Sequence, residues 1–132
     1  MIGPVQYARS ADDITLAYRI VGDGEVEAIF VPGILSHIEL VLEEPSMRRL
    51  FERLGGFCRM VLFDRRGQGM SDQLPDEFSI EQETADLLTV LDAAGFERTA
   101  LVGYTGGAQL ACQFAAMYPE RTRALVPLRV MP

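Results

Sequence analysis

The stretch Ala100-Leu101-Val102-Gly103-Tyr104-Thr105-Gly106-Gly107-Ala108 constrains this chain more than any other. A short apolar run enters a turn framed by Gly103 and Gly107, and an uncharged helical stretch follows. That is the layout of a nucleophile elbow, G-x-S-x-G, which lifts a hydroxyl to the top of a parallel sheet. Small residues are needed on both sides because strand and helix come into close contact there. The centre of the motif is Thr105 where serine is the usual occupant. A β-branched side chain crowds the backbone at positive φ, so Thr105 would hold that position at a cost. The plainer alternative is a threonine in an ordinary turn.

The rest of the chain reads as a frame for this turn. Residues 5–10 and 14–21 form two strands joined at Ala11-Asp12-Asp13, the second alternating through Ile14, Leu16, Tyr18 and Ile20. Ala28-Ile29-Phe30-Val31 and Met60-Val61-Leu62-Phe63 are continuous apolar runs, as expected of strands covered on both faces. Pro45 opens a helix with Met47, Leu50, Phe51 and Leu54 on its apolar face. Ser79-Ile80-Glu81-Gln82 is a capping box, and Gly95 is a C′ residue. In the helix between them, Ile80, Thr84, Leu87, Leu88 and Leu91 are expected inward, and Glu81, Glu83, Asp86 and Asp92 outward. The helix over 107–118 is apolar nearly all round and belongs deep in a domain. Pro119 ends it, and Ala124-Leu125-Val126 begins a further strand. The order β-β-β-α-β-α-β-α-β predicts an α/β fold, a mostly parallel sheet with an N-terminal antiparallel hairpin and helices on both faces. Sites in such sheets lie outside the carboxyl ends of the strands, where Gly33, Asp64 and Thr105 emerge.

Composition narrows the partners. The net charge is -7, and the twelve basic residues, all Arg, are scattered. No basic stripe tracks a phosphate backbone, so nucleic acid is not expected as a partner. The one His and two distant Cys make no metal-ligand spacing, and neither metal nor cofactor is expected. Cys58 and Cys112 read as buried free thiols in a reducing compartment. Residues 1–10 lack the basic and apolar regions of a signal peptide, and the uncharged run 99–119 is broken by glycines and Pro119. A cytoplasmic protein with no membrane span is expected.

Four stretches carry a resemblance to a known family: Ile29-Phe30-Val31-Pro32-Gly33-Ile34-Leu35-Ser36-His37, residues 63–72, residues 102–108, and Phe114-Ala115-Ala116-Met117-Tyr118-Pro119-Glu120-Arg121. In this order and at this separation the chain resembles the α/β-hydrolases over residues 7–126. It looks most like bacterial members with a Pro-Gly loop in place of the common His-Gly loop, a kind sometimes fused to adenylate cyclase or signalling modules. The resemblance implies the N-terminal portion of that fold and a serine-hydrolase-type activity on a small-molecule ester or acyl substrate. Thr105 then takes the nucleophile position, and the backbone N–H groups of Ile34 and Gly106 form the oxyanion hole. Family triads place the acid and the histidine beyond the sixth strand, and nothing here matches either. The chain thus reads as a partial domain over 1–126 with a divergent tail over 127–132, since Pro127 cannot donate to a ladder. It is expected to be inactive alone and to associate with itself or with a complementing chain. A non-catalytic binding module, or one part of a split or fused hydrolase, is the alternative.

His37, the chain's only histidine, falls in the loop beside the oxyanion turn. Two roles are open to it: approach to Thr105 as a base, or capping of its own loop. Asp64 and Asp72 read as turn formers that bind backbone N–H groups, and Arg65 and Arg66 as a solvated or ion-paired turn. The run Gly103-x-x-Gly106-Gly107 does not have dinucleotide-loop spacing.

Overall fold

The computed structural model describes residues 1–33, 36–72 and 79–128. Its elements are β1 (Gln6–Arg9), β2 (Thr15–Val21), β3 (Val26–Val31), α1 (Pro45–Leu54), β4 (Cys58–Phe63), α2 (Ile80–Ala94), β5 (Thr99–Tyr104), α3 (Gly106–Met117) and β6 (Thr122–Leu128). A 3₁₀ turn, Leu40–Glu43, precedes α1. The strand order is β1-β2-β4-β3-β5-β6. β1, β2 and β4 pair antiparallel, whereas β4, β3, β5 and β6 run parallel. The hairpin and the parallel sheet stand as the sequence predicts.

Alternation along the strands divides the core in two. Ile29, Val31, Val61, Phe63 and Leu101 point to the face covered by α2 and α3, where they meet Leu87, Leu91, Leu110 and Phe114. Ala28, Phe30, Met60 and Leu62 point to the other face, under Phe51 of α1 and Leu42. Most of these side chains are almost fully buried, each a contribution of about 1.5–3 kcal/mol. Helices therefore lie on both faces.

α2 begins at the capping box: the Ser79 side chain accepts from Gln82 N–H, and Gln82 reaches back to the Ser79 N–H. It ends at Gly95 with φ 76°, the left-handed residue a C′ position takes. The charged face differs from expectation. Glu83 and Asp86 are buried, not outward, because each is paired with an arginine from the loop after β4.

Two further expectations are corrected. Cys58 is buried, but Cys112 is exposed on the outer side of α3, together with Gln109 and Met117. α3 is therefore packed on one side only among the described residues. Pro127 and Leu128 continue β6 where a divergent tail was expected, paired in register with Gly103 and Tyr104. Among the described residues β6 pairs with β5 alone, and an edge strand tolerates a proline whose missing N–H faces away from its partner. No helix among the described residues is long and apolar enough to cross a membrane.

Candidate active site

β3, β4 and β5 end side by side, and the loops that leave them form one cluster. Thr105 sits between β5 and α3 with φ 53° and ψ -120°, a conformation that costs a β-branched residue about 1–3 kcal/mol. Three glycines allow it. A Cβ on Gly103 would lie 2.6 Å from Cα of Ala108, and one on Gly107 would strike the carbonyls of Val31 and Pro32. A Cβ on Gly33 would collide with Oγ1 of Thr105. The threonine hydroxyl therefore lies directly over the turn that leaves β3.

The turn is braced from both neighbours. Thr105 N–H donates to the Leu128 carbonyl at 3.0 Å, so the end of β6 holds the residue that the motif centres on. The Thr105 carbonyl accepts from Ala108 N–H at 3.0 Å, closing the first turn of α3. Gly106 opens α3, where backbone N–H groups have no intrahelical acceptor and the helix dipole is positive. Ile34, the other expected oxyanion donor, lies outside the described residues.

His37 caps its own loop. Its Nδ1 accepts from the N–H groups of Glu39 and Leu40, both at 3.3 Å. Nδ1 is thereby turned to its own loop and not to the Thr105 hydroxyl. Of the two roles open to His37, the structure thus shows the capping contacts.

Asp64 is fully buried and acts as the turn former it was expected to be. Its Oδ2 accepts from Ile38 N–H at 3.2 Å and Met70 N–H at 2.9 Å, tying the β3 and β4 loops together. Gly69, at φ 50°, packs so closely on this carboxylate that a Cβ would strike it. Asp72 accepts from Thr15 N–H at 2.9 Å and pins the same loop to β2.

The arginine pair was read as solvated or ion-paired, and it is ion-paired. Arg65 makes a two-pronged contact with Glu83, at 2.7 and 2.9 Å, and donates to the Pro32 carbonyl at 3.3 Å. Pro32 is thereby held between Arg65 and the start of α3. Arg66 contacts Asp86 at 2.7 and 2.8 Å and Asp12 at 2.9 and 3.1 Å. Hydrogen bonds from Arg66 and Ser10 hold the Asp12 carboxyl down at about 2, whereas burial pushes Asp86 up. Sequence reasoning missed the acidic half of this network. The available signal was a pair of adjacent arginines in a tight turn, facing two acids spaced i, i+3 on one helix.

Beside Gly33 opens a cleft of about 580 Å³, bounded by the ends of β3, β4 and β5, the 3₁₀ turn and α1. Its floor is apolar, and its rim carries Ser36, His37 and Gln68. Among the described residues, no group of three or more His, Cys, Asp or Glu side chains is placed to hold a metal ion.

A family model described as alpha/beta hydrolase fold matches residues 29–129. The Escherichia coli O1:K1 / APEC protein "Putative carbamate hydrolase RutD" is 42% identical over 69 residues, 52% of this chain and 26% of that protein. Among solved structures, an alpha/beta hydrolase from Sphaerobacter thermophilus DSM 20745 is 29% identical, with TM-score 0.69 over 92% of this chain and 42% of that one. E-2-(acetamidomethylene)succinate hydrolase is 27% identical, with TM-score 0.77 over 98% of this chain and 46% of that one. This chain therefore spans about a quarter of the curated relatives' length and less than half of these solved structures.

Proposed function

The chain belongs to the α/β-hydrolase fold family, and from that premise we propose that it carries the nucleophile side of an ester or acyl hydrolase site. The observation that carries this reading is Thr105, held at φ 53° between β5 and α3 with its hydroxyl over Gly33. In this reading the turn is a nucleophile elbow, and the Gly106 N–H, with that of Ile34, is the oxyanion hole. The Thr105 oxygen attacks the substrate carbonyl carbon and its proton passes to a base. The resulting oxyanion sits on the two N–H groups. Collapse expels the alcohol with a proton, and water then cleaves the acyl-threonine by the same route. The relatives named for carbamate and acetamidomethylene-succinate hydrolysis support attack at a carbonyl carbon as the shared chemistry.

The base is supplied from outside this chain. The chain's only histidine spends Nδ1 on its own loop, and a positioned base is worth ~10²–10⁴-fold in rate. Alone, the chain is inactive. A complementing chain, or the remainder of a split or fused hydrolase, docks along β6 and brings the acid and the histidine. A non-catalytic binding module is the second reading, favoured by the β-branched residue at the strained position.

The two separate in one experiment. The chain is co-expressed with the C-terminal part of a family relative and assayed on an activated aryl ester. Turnover that disappears in Thr105→Ala, with none above that control in the uncomplemented chain, is the expected result. A folded complex whose turnover ignores residue 105 overturns the hydrolase reading.

A further inference from the structure

We infer that Arg65 is a positioning residue: it latches the Pro32–Gly33 peptide plane and so aims the turn that leaves β3. The sequence of the turn makes a latch necessary. Pro32 fixes its own φ through its ring, but neither residue fixes the peptide plane between them. A stiffer residue cannot replace Gly33, since a Cβ there would collide with Thr105 Oγ1. Making room for that hydroxyl leaves the neighbouring turn free to swing, and its direction has to come from a contact.

Arg65 supplies that contact. Its Nη1 donates to the Pro32 carbonyl at 3.3 Å, while Nε and Nη2 both donate to Glu83, at 2.7 and 2.9 Å. One edge of the planar guanidinium is thus anchored to α2, and the remaining nitrogen faces the turn. The two side chains are only 13% and 11% exposed, so water competes little for either contact. The same carbonyl packs on Gly107, where a Cβ would lie 2.4 Å from the oxygen. No described peptide bond is cis, and in a trans peptide the C=O and N–H point opposite ways. Holding the Pro32 carbonyl against Arg65 and Gly107 therefore holds the Gly33 N–H on the other side. A flipped plane would take this buried carbonyl away from its charged donor. Glu83 neutralises the guanidinium, so Arg65 acts on the turn through geometry and not through net charge. Lysine has no planar fork and cannot make both contacts in this arrangement. What the aimed turn serves, presentation of the Ile34 N–H to an oxyanion, rests on the hydrolase reading above. The latch itself does not.

The test follows the Pro32 carbonyl ¹³C and Gly33 amide ¹⁵N resonances of the labelled chain, which respond to a hydrogen bond on that carbonyl. Arg65→Lys keeps the charge and loses the fork; it should move the carbonyl resonance upfield and shift the amide. Glu83→Gln keeps Arg65 but loosens its anchor, and should give the same change in smaller degree. Asp86→Asn breaks the other buried pair on α2. It should lower the thermal midpoint without moving either resonance, which separates aiming from stability alone. In the chain complemented by the C-terminal part of a family relative, activity on an activated aryl ester is read as kcat and KM separately. Arg65→Lys should lower kcat roughly 10-fold or more and leave KM within about twofold, because the oxyanion exists only in the transition state. Asp86→Asn should leave both unchanged. Unmoved resonances in Arg65→Lys, equal movement in Asp86→Asn, or a loss carried by KM alone overturns the inference. Thr105-dependent turnover that Arg65→Lys leaves untouched keeps the hydrolase reading and overturns the positioning role. Shifted resonances with no Thr105-dependent turnover in the complemented chain leave the latch standing and defeat the hydrolase reading.

Discussion

Thr105 is where sequence and structure agree most closely and where a single substitution says most. The Gly103 and Gly107 spacing was legible because only residues without a Cβ fit between a strand end and a helix start; the collisions at both positions are with backbone, which cannot yield. The positive φ followed from the same geometry. Thr105→Gly should therefore relieve more strain than the ~0.5–1 kcal/mol that a glycine's extra unfolded-state freedom costs. The thermal midpoint should rise by a few degrees, with Thr105→Ser mildly favourable. A clear fall in both variants would mean that the threonine's contacts outweigh its strain. Gly69 makes the opposite case. At φ 50°, with the Asp64 carboxylate against it, Gly69→Ala should destabilise by about 1–3 kcal/mol in urea unfolding. Its role was not legible, because nothing local says that a glycine five residues after an aspartate will cover that carboxylate.

At the scale of elements, the legible features were local ones. The α2 capping box and its Gly95 terminus concern neighbours within four residues, and so does the proline that opens α1. The miss was α2's charged face. Helical periodicity assigns Glu83 and Asp86 to solvent, but only the three-dimensional path brings Arg65 and Arg66 over them from 18 and 20 residues away. The consequence is measurable. Asp86→Ala leaves the Arg66 guanidinium short of a buried partner, with both side chains only 3% exposed, and should cost ~3–5 kcal/mol. Removing the exposed Arg48–Glu52 pair should cost less than about 1 kcal/mol. Asp12 adds a pH dependence. Its carboxyl is held at about 2 in the folded chain against 3.8 ordinarily, so its contribution is present above pH 3.8 and is lost as pH falls through 2. At 44% exposure, solvent screening reduces it to about 1 kcal/mol or less. Asp12→Asn should remove that acid-side loss from a stability–pH profile, leaving the neutral-pH midpoint lower.

The whole molecule has one protected side and one open one. The N-terminal hairpin covers β4, with an isolated bridge from Ile2 to Val21 closing its outer end. On the other side β6 pairs only with β5 among the described residues, and its Leu125, Val126 and Leu128 are 37%, 43% and 36% exposed. Met117, at 46%, and Cys112 extend this surface onto α3. The apolar composition of α3 was legible, but its exposed side was not, because periodicity reports how apolar a helix is and not whether anything covers it. A strand that presents unpaired N–H and C=O groups between apolar side chains recruits other chains. The isolated chain should therefore sediment as dimers or larger species and bind a dye that reports exposed apolar surface. Val126→Lys, placed on the edge and away from the Thr105 turn, should shift it toward monomer, because an edge lysine opposes strand addition. Co-expression with the C-terminal part of a family relative should also suppress self-association, since both compete for β6. A compact monomer with a sharp unfolding transition and no dye binding would show that this edge is already closed within the chain.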